Sequence, residues 1–381
     1  MRIGFIVAEY NPLHNGHVKH IQKTIEDLHC DSIVVVMSGD IVQRGELAVV
    51  DKYTRATWAI EAGADMVIEL PVEYTLGSAQ VFATGASKLI SYFDAEKYIS
   101  FGSECGSTYV LEKVVEMLDS EENQGYIREF LNEGNTYAKA NALAFSKYLN
   151  AHNIDQSIAS ILDTPNNILG LEYIRAIKYM DVKPYTIKRE GSYNSSLDKD
   201  SPSALSIREA LYKKDPIFDM VPSFVAKDLG NVKDNREKLF SVIKYELSKK
   251  QNLDKIFGMH EGLHNRFLSF LSKSSTYEEF MQNVKTKRFT MTSLSRSLMC
   301  ALIDNTYTLD QVLDLDVNYI NVLAIKDKKQ NLLSTIDTNV VTKPSELMKL
   351  KDRVDTTLQD KSESLFKAIN YEYEPYMRIV K

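Results

Sequence analysis

The strongest constraint on the fold is an alternation of short apolar runs and helical stretches over residues 1 to about 104. Strand patterns occur in RIGFIVAEY, SIVVVM, DMVIEL and KYISFG, and helix patterns lie between them in HVKHIQKTIEDLH, DKYTRATWAIEAGA and residues 77–93. Short apolar strands separated by helices are typical of a parallel sheet that is covered on both faces. The pattern therefore predicts an α/β fold with a doubly wound parallel sheet.

The rest of the chain divides into a helical insertion, a return of the α/β pattern and a mainly helical C-terminal part. Residues 107–162 are helical in pattern, KPYTIKR is strand-like, and SALSIREALYKK is helical again. A chain of 381 residues is long enough for two or three domains. We predict a catalytic domain at 1–215, which includes the insertion, and a mainly helical domain at 216–381.

The composition predicts a globular protein of the cytoplasm. With 44% hydrophobic residues the chain can bury sizeable cores. Apolar runs such as IVVVM are far shorter than the roughly 20 residues that a membrane-spanning helix needs. The N-terminus has a strand pattern rather than that of a signal peptide. The three cysteines lie far apart, which argues against a disulfide framework and a structural zinc site.

The net charge of −6 hides an uneven distribution along the chain. Residues 1–230 hold 22 Lys and Arg against 32 Asp and Glu, whereas residues 231–381 hold 24 against 20. A surplus of positive charge in the C-terminal part makes it the better place to seek a polyanionic partner.

The segment His14-Asn15-Gly16-His17 follows the first predicted strand and opens the first predicted helix. A helix N-terminus at the carboxyl edge of a parallel sheet attracts anions, and Gly16 permits close approach of a phosphate. Two histidines one helical turn apart can donate to phosphoryl oxygens as pyrophosphate leaves. The turn therefore favours nucleotidyl transfer. Histidines in such a loop are also often helix caps or surface residues.

A second segment, SALSIREAL at 203–211, can complement the histidine turn. Ser203 or Ser206 can cap the helix or reach a phosphate, and Arg208 near the helix start can clamp a triphosphate. Taken alone, an ordinary capped helix with an exposed arginine is the simpler interpretation. Together, the two segments resemble the nucleotidylyltransferase superfamily, whose fold is shared with class I aminoacyl-tRNA synthetases.

A closer resemblance extends over about 300 residues. Eight segments, in this order and spacing, resemble the bacterial tRNA(Met) cytidine acetate ligase family: EYNPLHNGH (9–17), SGDIVQRGE (38–46), DKYTRA (51–56), DMVIELP (65–71), FGSE (101–104), TPNNILG (164–170), IKRE (187–190) and KTKRFT (285–290). The resemblance implies a ligase that uses ATP to activate acetate as acetyl-adenylate. It then acetylates the N4 amine of the wobble cytidine of elongator tRNA(Met), releasing AMP and pyrophosphate.

The resemblance also implies site residues. His14, His17 and Arg189 would be catalytic. Mg²⁺ is expected with ATP, acetate and tRNA are the expected partners, and no obligate protein partner or membrane is expected. The ATP-binding residues would be Val7, Ala8, Glu9, Tyr10, Asn11, Pro12, Leu13, His14, Asn15, Gly16, His17, Val18, Lys19, His20, Gly102, Asn166, Arg189, Ser206 and Arg208. For the proton of the attacking amine, Asp40 and Glu46 are candidate bases.

A basic segment in the C-terminal part is the predicted tRNA surface. Lys285, Lys287, Arg288 and Arg296 occur without an acidic residue among them, at helical spacing and with Phe289 as a possible stacking partner. A solvated helix face is the alternative. Nearby, HEGLH at 260–264 matches the HExxH pattern of zinc hydrolases. The nucleotide motifs argue against that function, and we predict no metal site there.

Two other functions stay open at this point. A plain nucleotidylyltransferase would join ATP to a small phosphorylated substrate and would not need a long C-terminal part. A tRNA-binding module with a degenerate site would need neither histidine. The intact histidine turn and SALSIR segment make the second alternative the weaker one.

Overall fold

The computed structural model describes residues 1–189, 203–230, 232–350, 354–371 and 373–381; Glu190 of the IKRE segment lies outside these ranges. The strands are β1 (Arg2–Ala8), β2 (Ser32–Ser38), β3 (Ile41–Val42), β4 (Glu46–Leu47), β5 (Met66–Leu70), β6 (Glu96–Ser103), β7 (Val182–Lys188), β8 (Tyr319–Lys326), β9 (Asn339–Val341) and β10 (Arg378–Val380).

Helices cover both faces of the sheet and form most of the C-terminal part. They are α1 (Asn15–Leu28), α2 (Lys52–Glu61), α3 (Val72–Thr75), α4 (Ala79–Ser91), α5 (Thr108–Leu118), α6 (Glu121–Asn132), α7 (Tyr137–Ala151), α8 (Pro165–Ile177), α9 (Ala204–Lys213), α10 (Ser223–Leu229), α11 (Arg236–Lys249), α12 (Leu263–Leu271), α13 (Tyr277–Val284), α14 (Met291–Leu302), α15 (Leu309–Asp314), α16 (Pro344–Leu350) and α17 (Thr357–Ile369). Short 3-10 helices lie at Gln156–Asp163, Leu253–Lys255 and Asp327–Thr335.

The main sheet has the strand order β10-β8-β5-β2-β1-β6-β7. Strands β5, β2, β1, β6 and β7 are parallel to one another, so the predicted α/β fold is confirmed. The chain first builds outward from β1 through β2 and β5, then crosses to β6 and β7 on the other side. In such sheets, ligands bind beyond the carboxyl ends of the strands where the order reverses. That position is between β1 and β6.

Alternate side chains of each central strand enter two different cores. In β2, Val34 and Val36 pack with α4 and α8 on one face, whereas Ile33 and Val35 pack with α1 and α2 on the other. The period of two is the geometry of an extended strand. Burial on both faces explains why these strands are apolar without alternation.

Helices α11 to α14 surround a third core of their own. This core packs against the hairpin of β3 and β4 at Gly45, whose φ is +77°. A Cβ atom on Gly45 would lie 2.3 Å from the backbone nitrogen of Arg296 in α14. The helical part is thus in direct backbone contact with the loop that follows β2.

The C-terminal part, predicted to be mainly helical, also contributes the strands β8, β9 and β10 beyond residue 310. Strand β8 pairs antiparallel with β5, and β9 and β10 pair with β8. The apolar YINVLAIK run of β8 is mostly buried at this position. The division at residue 215 stays a prediction. Within the described ranges, no helix has the length and apolar character that crossing a bilayer requires.

Candidate active site

The turn between β1 and α1 is built around two histidines. His14 is the N-cap of α1, and its Nδ1 accepts a hydrogen bond from the Gly16 backbone N–H at 3.1 Å. His17 Nδ1 accepts in turn from the His14 N–H at 3.2 Å. An acceptor nitrogen carries no hydrogen, so in each neutral ring the hydrogen is on Nε2. The backbone therefore sets the tautomer that leaves Nε2–H as a donor.

Both rings are held in the neutral form. Burial, with the nearby positive charge of Arg189, lowers the pKa of His14 to about 3. Burial and the charges of His14 and Arg189 also hold the pKa of His17 well below its ordinary value. The rings stack with centroids 3.6 Å apart and planes inclined by 23°. Two imidazoles in such contact would repel each other if both were charged.

A third histidine, His20, lies one helical turn after His17. Burial lowers the pKa of His20 to about 4, and its Nε2 lies 3.0 Å from the Ser100 hydroxyl of β6. Ser100 also contacts the Thr24 hydroxyl at 2.7 Å. Ser100 and Thr24 were not predicted as site residues. With His20, they link the middle of α1 to the strand that borders the reversal in strand order.

The span from Glu9 to Asn15 is anchored largely by its own side chains. Tyr10, Asn11 and Leu13 are buried. Asn11 Oδ1 accepts from the Val49 N–H at 2.8 Å, and Asn15 Nδ2 donates to the Asp219 carbonyl at 3.0 Å. Several predicted ATP-binding residues therefore shape the loop, and they would meet a ligand through the backbone.

On the β6 and β7 side, the predicted residues Gly102, Asn166 and Arg189 come together. Arg189 follows β7 and donates to Asn166 Oδ1 at 3.2 Å, and Asn166 donates to Glu104 at 2.6 Å. Glu104 also accepts from the Asn167 N–H at 2.9 Å, at the start of α8. Glu104 lies in the quoted FGSE segment but was not predicted as a site residue. It positions Asn166, and through it Arg189.

The absence of a side chain at Gly102 leaves room for the side chain of Arg189. A Cβ atom at Gly102 would lie 3.1 Å from Arg189 Cγ and 3.3 Å from its Cδ. This spacing is tighter than ordinary van der Waals contact, so a larger residue would push the arginine away. Gly102, which the resemblance places among the ATP-binding residues, is thus packed against the side-chain stem of Arg189.

The SALSIR segment reaches the histidine loop from the opposite side. Ser203 and Ser206 form a capping box at the start of α9, so both hydroxyls serve the helix. Arg208 is buried and donates to the Asn11 carbonyl at 2.7 Å. Its other terminal nitrogen lies 2.5 Å from Glu46 of β4. The exposed arginine of the simpler interpretation is therefore wrong.

Two basic residues of the DKYTRA segment are structural. Arg55 is fully buried and donates to the backbone carbonyls of Glu9 at 2.7 Å, Ser38 at 3.1 Å, Val50 at 3.2 Å and also Gly39. Lys52 is fully buried and pairs with Glu69 at 2.9 Å and with Glu363 of α17 at 2.5 Å. These contacts join the ends of β1 and β2 to the C-terminal helix.

The two candidate bases differ in exposure. Asp40 is fully buried; one oxygen accepts from the Lys52 N–H at 2.9 Å and the other accepts from the Tyr373 hydroxyl. Burial raises the pKa of Asp40 to about 6. The side chain of Glu46 is 36% exposed. Asp40 is inaccessible in this arrangement, and Glu46 is the better placed of the two.

The predicted tRNA residues separate into an exposed loop and a buried contact. Lys285, Lys287 and Arg288 are exposed between α13 and α14, so the helical spacing expected for them is wrong. Arg288 pairs with Glu261 at 2.5 Å. Phe289 is 9% exposed and belongs to the helical core, so it is not available for stacking. Arg296 in α14 is only partly exposed and lies near the Gln43 carbonyl.

The HEGLH segment does not have the geometry of a zinc hydrolase motif. Glu261 and Gly262 have positive φ, and α12 begins only at Leu263. The two histidines therefore do not lie one turn apart on a helix. Across the described part of the chain, no three His, Cys, Asp or Glu side chains converge as a metal site would require.

Comparison with known proteins agrees with this arrangement. The HIGH Nucleotidyl Transferase family matches residues 1–377. The tRNA(Met) cytidine acetate ligase of Clostridium acetobutylicum is 37% identical over 344 residues, covering 86% of each chain. That of Caldanaerobacter subterraneus subsp. tengcongensis is 38% identical over 346 residues, covering 87% of this chain and 85% of the relative.

Two solved structures match this chain over its whole length. Crystal structures of Thermotoga maritima TmcAL, one bound with alpha-thio ATP and one in the apo form, match with TM-scores of 0.87 and 0.88. Each is 26% identical, and the match covers all of both chains. The chain belongs to the HIGH nucleotidyl transferase family, and within it to the tRNA(Met) cytidine acetate ligases.

Proposed function

We propose that this protein activates acetate with ATP and transfers the acetyl group to the N4 amine of the wobble cytidine of elongator tRNA(Met). The observation that carries the proposal is the pair of stacked, neutral histidines at the N-terminus of α1, beside Arg189 and at the reversal of strand order. Acetate as the acid and tRNA(Met) cytidine as the acceptor are taken from the name of the relatives, tRNA(Met) cytidine acetate ligase. We place the reaction in the cytoplasm, with ATP and tRNA.

In the first step, an acetate oxygen attacks the α-phosphorus of ATP. A bond from oxygen to phosphorus forms, the bond to the β-phosphate oxygen breaks, and pyrophosphate leaves. Acetate is ionised at neutral pH, so the step requires charge stabilisation rather than a base. His14 and His17 donate through Nε2–H, the helix N-terminus adds its dipole, and Arg189 neutralises phosphate charge. Arg208, buried and paired with Glu46, holds the histidine loop.

The base and ribose of ATP occupy the β6 and β7 side. Gly102, Asn166 and Arg189 lie there, and Arg189 is fixed through Asn166 and Glu104. The acetyl group then faces the opposite side of β1, toward the loop that follows β2. Mg²⁺ arrives with the triphosphate, whose oxygens and waters are its usual ligands in nucleotide sites.

In the second step, the cytosine amine attacks the acetyl carbonyl carbon of acetyl-adenylate. A carbon–nitrogen bond forms, and AMP leaves with the electron pair of the broken carbon–oxygen bond. The amine is a weak nucleophile because its lone pair is delocalised into the ring, so positioning supplies much of the rate. A wobble base must leave the anticodon stack to reach the site. Glu46 is the acceptor we assign to the amine proton.

The exposed loop Lys285–Arg288 binds the tRNA backbone. It lies on the helical part whose α14 contacts the loop after β2. Phosphate contacts of this kind position an RNA without reading its sequence.

Pyrophosphate release from ATP and acetate, with and without unmodified elongator tRNA(Met), tests the proposal when it is followed by mass analysis of the tRNA nucleosides. Acetate-dependent release together with acetylcytidine in the tRNA is the expected result. Release that requires a phosphorylated small molecule and is indifferent to acetate would make the protein a plain nucleotidylyltransferase. Binding of tRNA without any turnover would make it a binding module.

A further inference from the structure

A cleft between the catalytic sheet and the helical part lies next to Glu46. Its free space, open mouth included, is about 520 Å³. It is lined by residues of four elements: the β4 segment, α9, the start of α11 and the end of α17, with Tyr277 of α13 closing it. Apart from Glu46 and Val49, none of these lining residues has been given a role above.

The cleft is on the side of β1 where the second substrate must arrive. Gly102, Asn166 and Arg189 mark the β6 and β7 side, whereas Glu46 and Val49 belong to the loop that follows β2. Two contacts lead from the cleft to the histidine loop. Glu46 lies 2.5 Å from Arg208, and Arg208 donates to the Asn11 carbonyl at 2.7 Å. The cleft is therefore connected to the histidine loop through the Glu46–Arg208 pair.

Aromatic and planar groups form a platform in the cleft. The guanidinium carbon of Arg236 lies 5.0 Å from the ring centroid of Tyr212. Arg236 is held in place by Asp234, with contacts of 2.9 and 2.5 Å. The ring of Tyr277 packs edge-on against Phe240 with centroids 6.4 Å apart. Bases that have left an RNA stack are bound on such aromatic and guanidinium surfaces.

The polar atoms of the cleft match cytosine better than uracil. Asn235 Nδ2 donates to Asn370 Oδ1 at 2.7 Å, which orients the Asn370 amide N–H₂ as a donor. Cytosine presents acceptors at O2 and N3 and a donor at its exocyclic N4 amine, which the amide and Glu46 complement. Uracil has an oxygen where cytosine has the amine, and that oxygen would face the Glu46 carboxylate. Exposed Lys233 stands at the rim for a flanking phosphate.

We propose that this cleft binds the unstacked cytidine of the RNA substrate, with its base on Tyr212 and Arg236 and its N4 amine directed at Glu46. The inference rests on the proposed function, because it needs an RNA cytidine as acceptor. It assigns Tyr212, Asn370 and Glu46 to recognition of the base, and Glu46 also takes the proton that N4 loses when the carbon–nitrogen bond forms.

The test separates the two chemical steps. Tyr212→Ala is expected to slow single-turnover acetyl transfer to tRNA by about 5- to 100-fold, the loss typical of removing one stacking partner. Tyr212→Phe keeps the platform and is expected to stay within about twofold of the wild type. Tyr179→Ala, at a tyrosine that is 92% exposed after α8, is the matched control. Acetate-dependent exchange of pyrophosphate into ATP, measured without tRNA, is expected to persist in all of them.

A second measurement covers the case in which Tyr212→Ala does not fold. An anticodon stem-loop with 5-iodocytidine at the wobble position is irradiated with the wild-type protein, and the crosslinked peptide is identified by mass spectrometry. Crosslinks to the peptides with Tyr212 or Tyr277 are expected. Asn370→Asp, which replaces the donor by an acceptor of equal size, is expected to lower both crosslinking and acetyl transfer.

The outcomes distinguish the two proposals. If the wild type shows no acetate-dependent exchange and no acetylcytidine, the proposed function itself is wrong. If the wild type acetylates tRNA while Tyr212→Ala and Asn370→Asp do so equally well, only the cleft assignment is wrong. Crosslinks confined to peptides outside the cleft would overturn it in the same way.

Discussion

The imidazole rings of His14 and His17 are stacked 3.6 Å apart, and each Nδ1 accepts a backbone N–H of the turn that holds them. The same two residues therefore cap α1 and present Nε2–H groups of fixed tautomer. Capping and catalysis do not compete here, because they use different nitrogens of each ring. The geometry is therefore compatible with the two histidines serving as helix caps and as catalytic groups at the same time.

Loss of His17 should abolish adenylate formation and spare tRNA binding. We expect His17→Ala to lower acetate-dependent pyrophosphate exchange by about 100- to 1,000-fold, the loss typical of removing one donor to a developing charge. His17→Asn keeps a side-chain acceptor for the His14 N–H. It should therefore be more stable than His17→Ala, yet remain nearly inactive. His152→Ala, at an exposed histidine paired with Glu122, is the control. Exchange at wild-type rates in His17→Ala would remove His17 from the catalytic groups.

The buried histidines predict a loss of stability in acid. The pKa of His20 in the folded protein, about 4, lies below the ordinary value of 6.5, so between these pH values the unfolded chain binds more protons than the folded one. The free energy of unfolding therefore falls as the pH drops through this window, by at most about 1.4 kcal/mol per pH unit for each such group.

Comparison of a variant with the wild type isolates this effect. Burial raises the pKa of Asp40 to about 6 and that of Glu73 to about 7, and these groups act in the opposite direction. Denaturant unfolding of His20→Asn between pH 6.5 and 4.5 should therefore show a shallower loss of stability than that of the wild type. Parallel curves for the two proteins would contradict the neutral, buried state of His20.

The positions of the main site residues could be predicted because local pattern decided them. An apolar strand, a glycine and a helix start place His14 and His17 at the carboxyl edge of a parallel sheet, and KPYTIKR places Arg189 at the same edge. Glu104 could have been included, since it lies in a segment already recognised. Its hydrogen bonds to Asn166 and to the Asn167 N–H link residues 62 and 63 positions apart.

The surroundings of the site could not be predicted, because contacts between distant parts of the chain decide them. Arg55 and Lys52 are charged residues of the kind usually found on a surface, yet Lys52 is buried in ion pairs with Glu69 and Glu363. Glu363 is 311 residues from Lys52 in the sequence. Strand β8 joins β5 across more than 250 residues. The ring of Phe289 lies in the helical core, which no local period indicates.

The exposed basic loop predicts a charge-dependent RNA affinity. Changing Lys285, Lys287 and Arg288 together to Glu should weaken tRNA binding and reduce the salt dependence of the association constant, with pyrophosphate exchange largely unchanged. Because Arg288 is paired with Glu261, most of the loss should come from the two lysines. The control changes Lys23, Lys178 and Lys328, which are exposed on other elements, to Glu. Equal tRNA affinity of the two triple variants would place the RNA surface elsewhere.

Contact between Gly45 and α14 predicts that the helical part holds the loop after β2 in its working position. Gly45→Ala combines an unfavourable positive φ with a Cβ atom 2.3 Å from the Arg296 nitrogen, which is backbone and cannot turn aside. Gly262→Ala is the matched control, because its φ of +76° is almost the same as the +77° of Gly45 and its Cβ would meet open space. The control should cost about 1–2 kcal/mol of stability for the backbone strain alone.

Gly45→Ala should cost more than its control and should also impair acetyl transfer. The added methyl group must separate β4 from α14, and the displaced hairpin carries Glu46, which contacts Arg208. Denaturant unfolding and single-turnover acetyl transfer measure the two effects on the same pair of proteins. If both variants lose the same stability and transfer acetyl groups equally fast, then the contact at Gly45 has no part in positioning Glu46, and the helical part serves only to bind RNA.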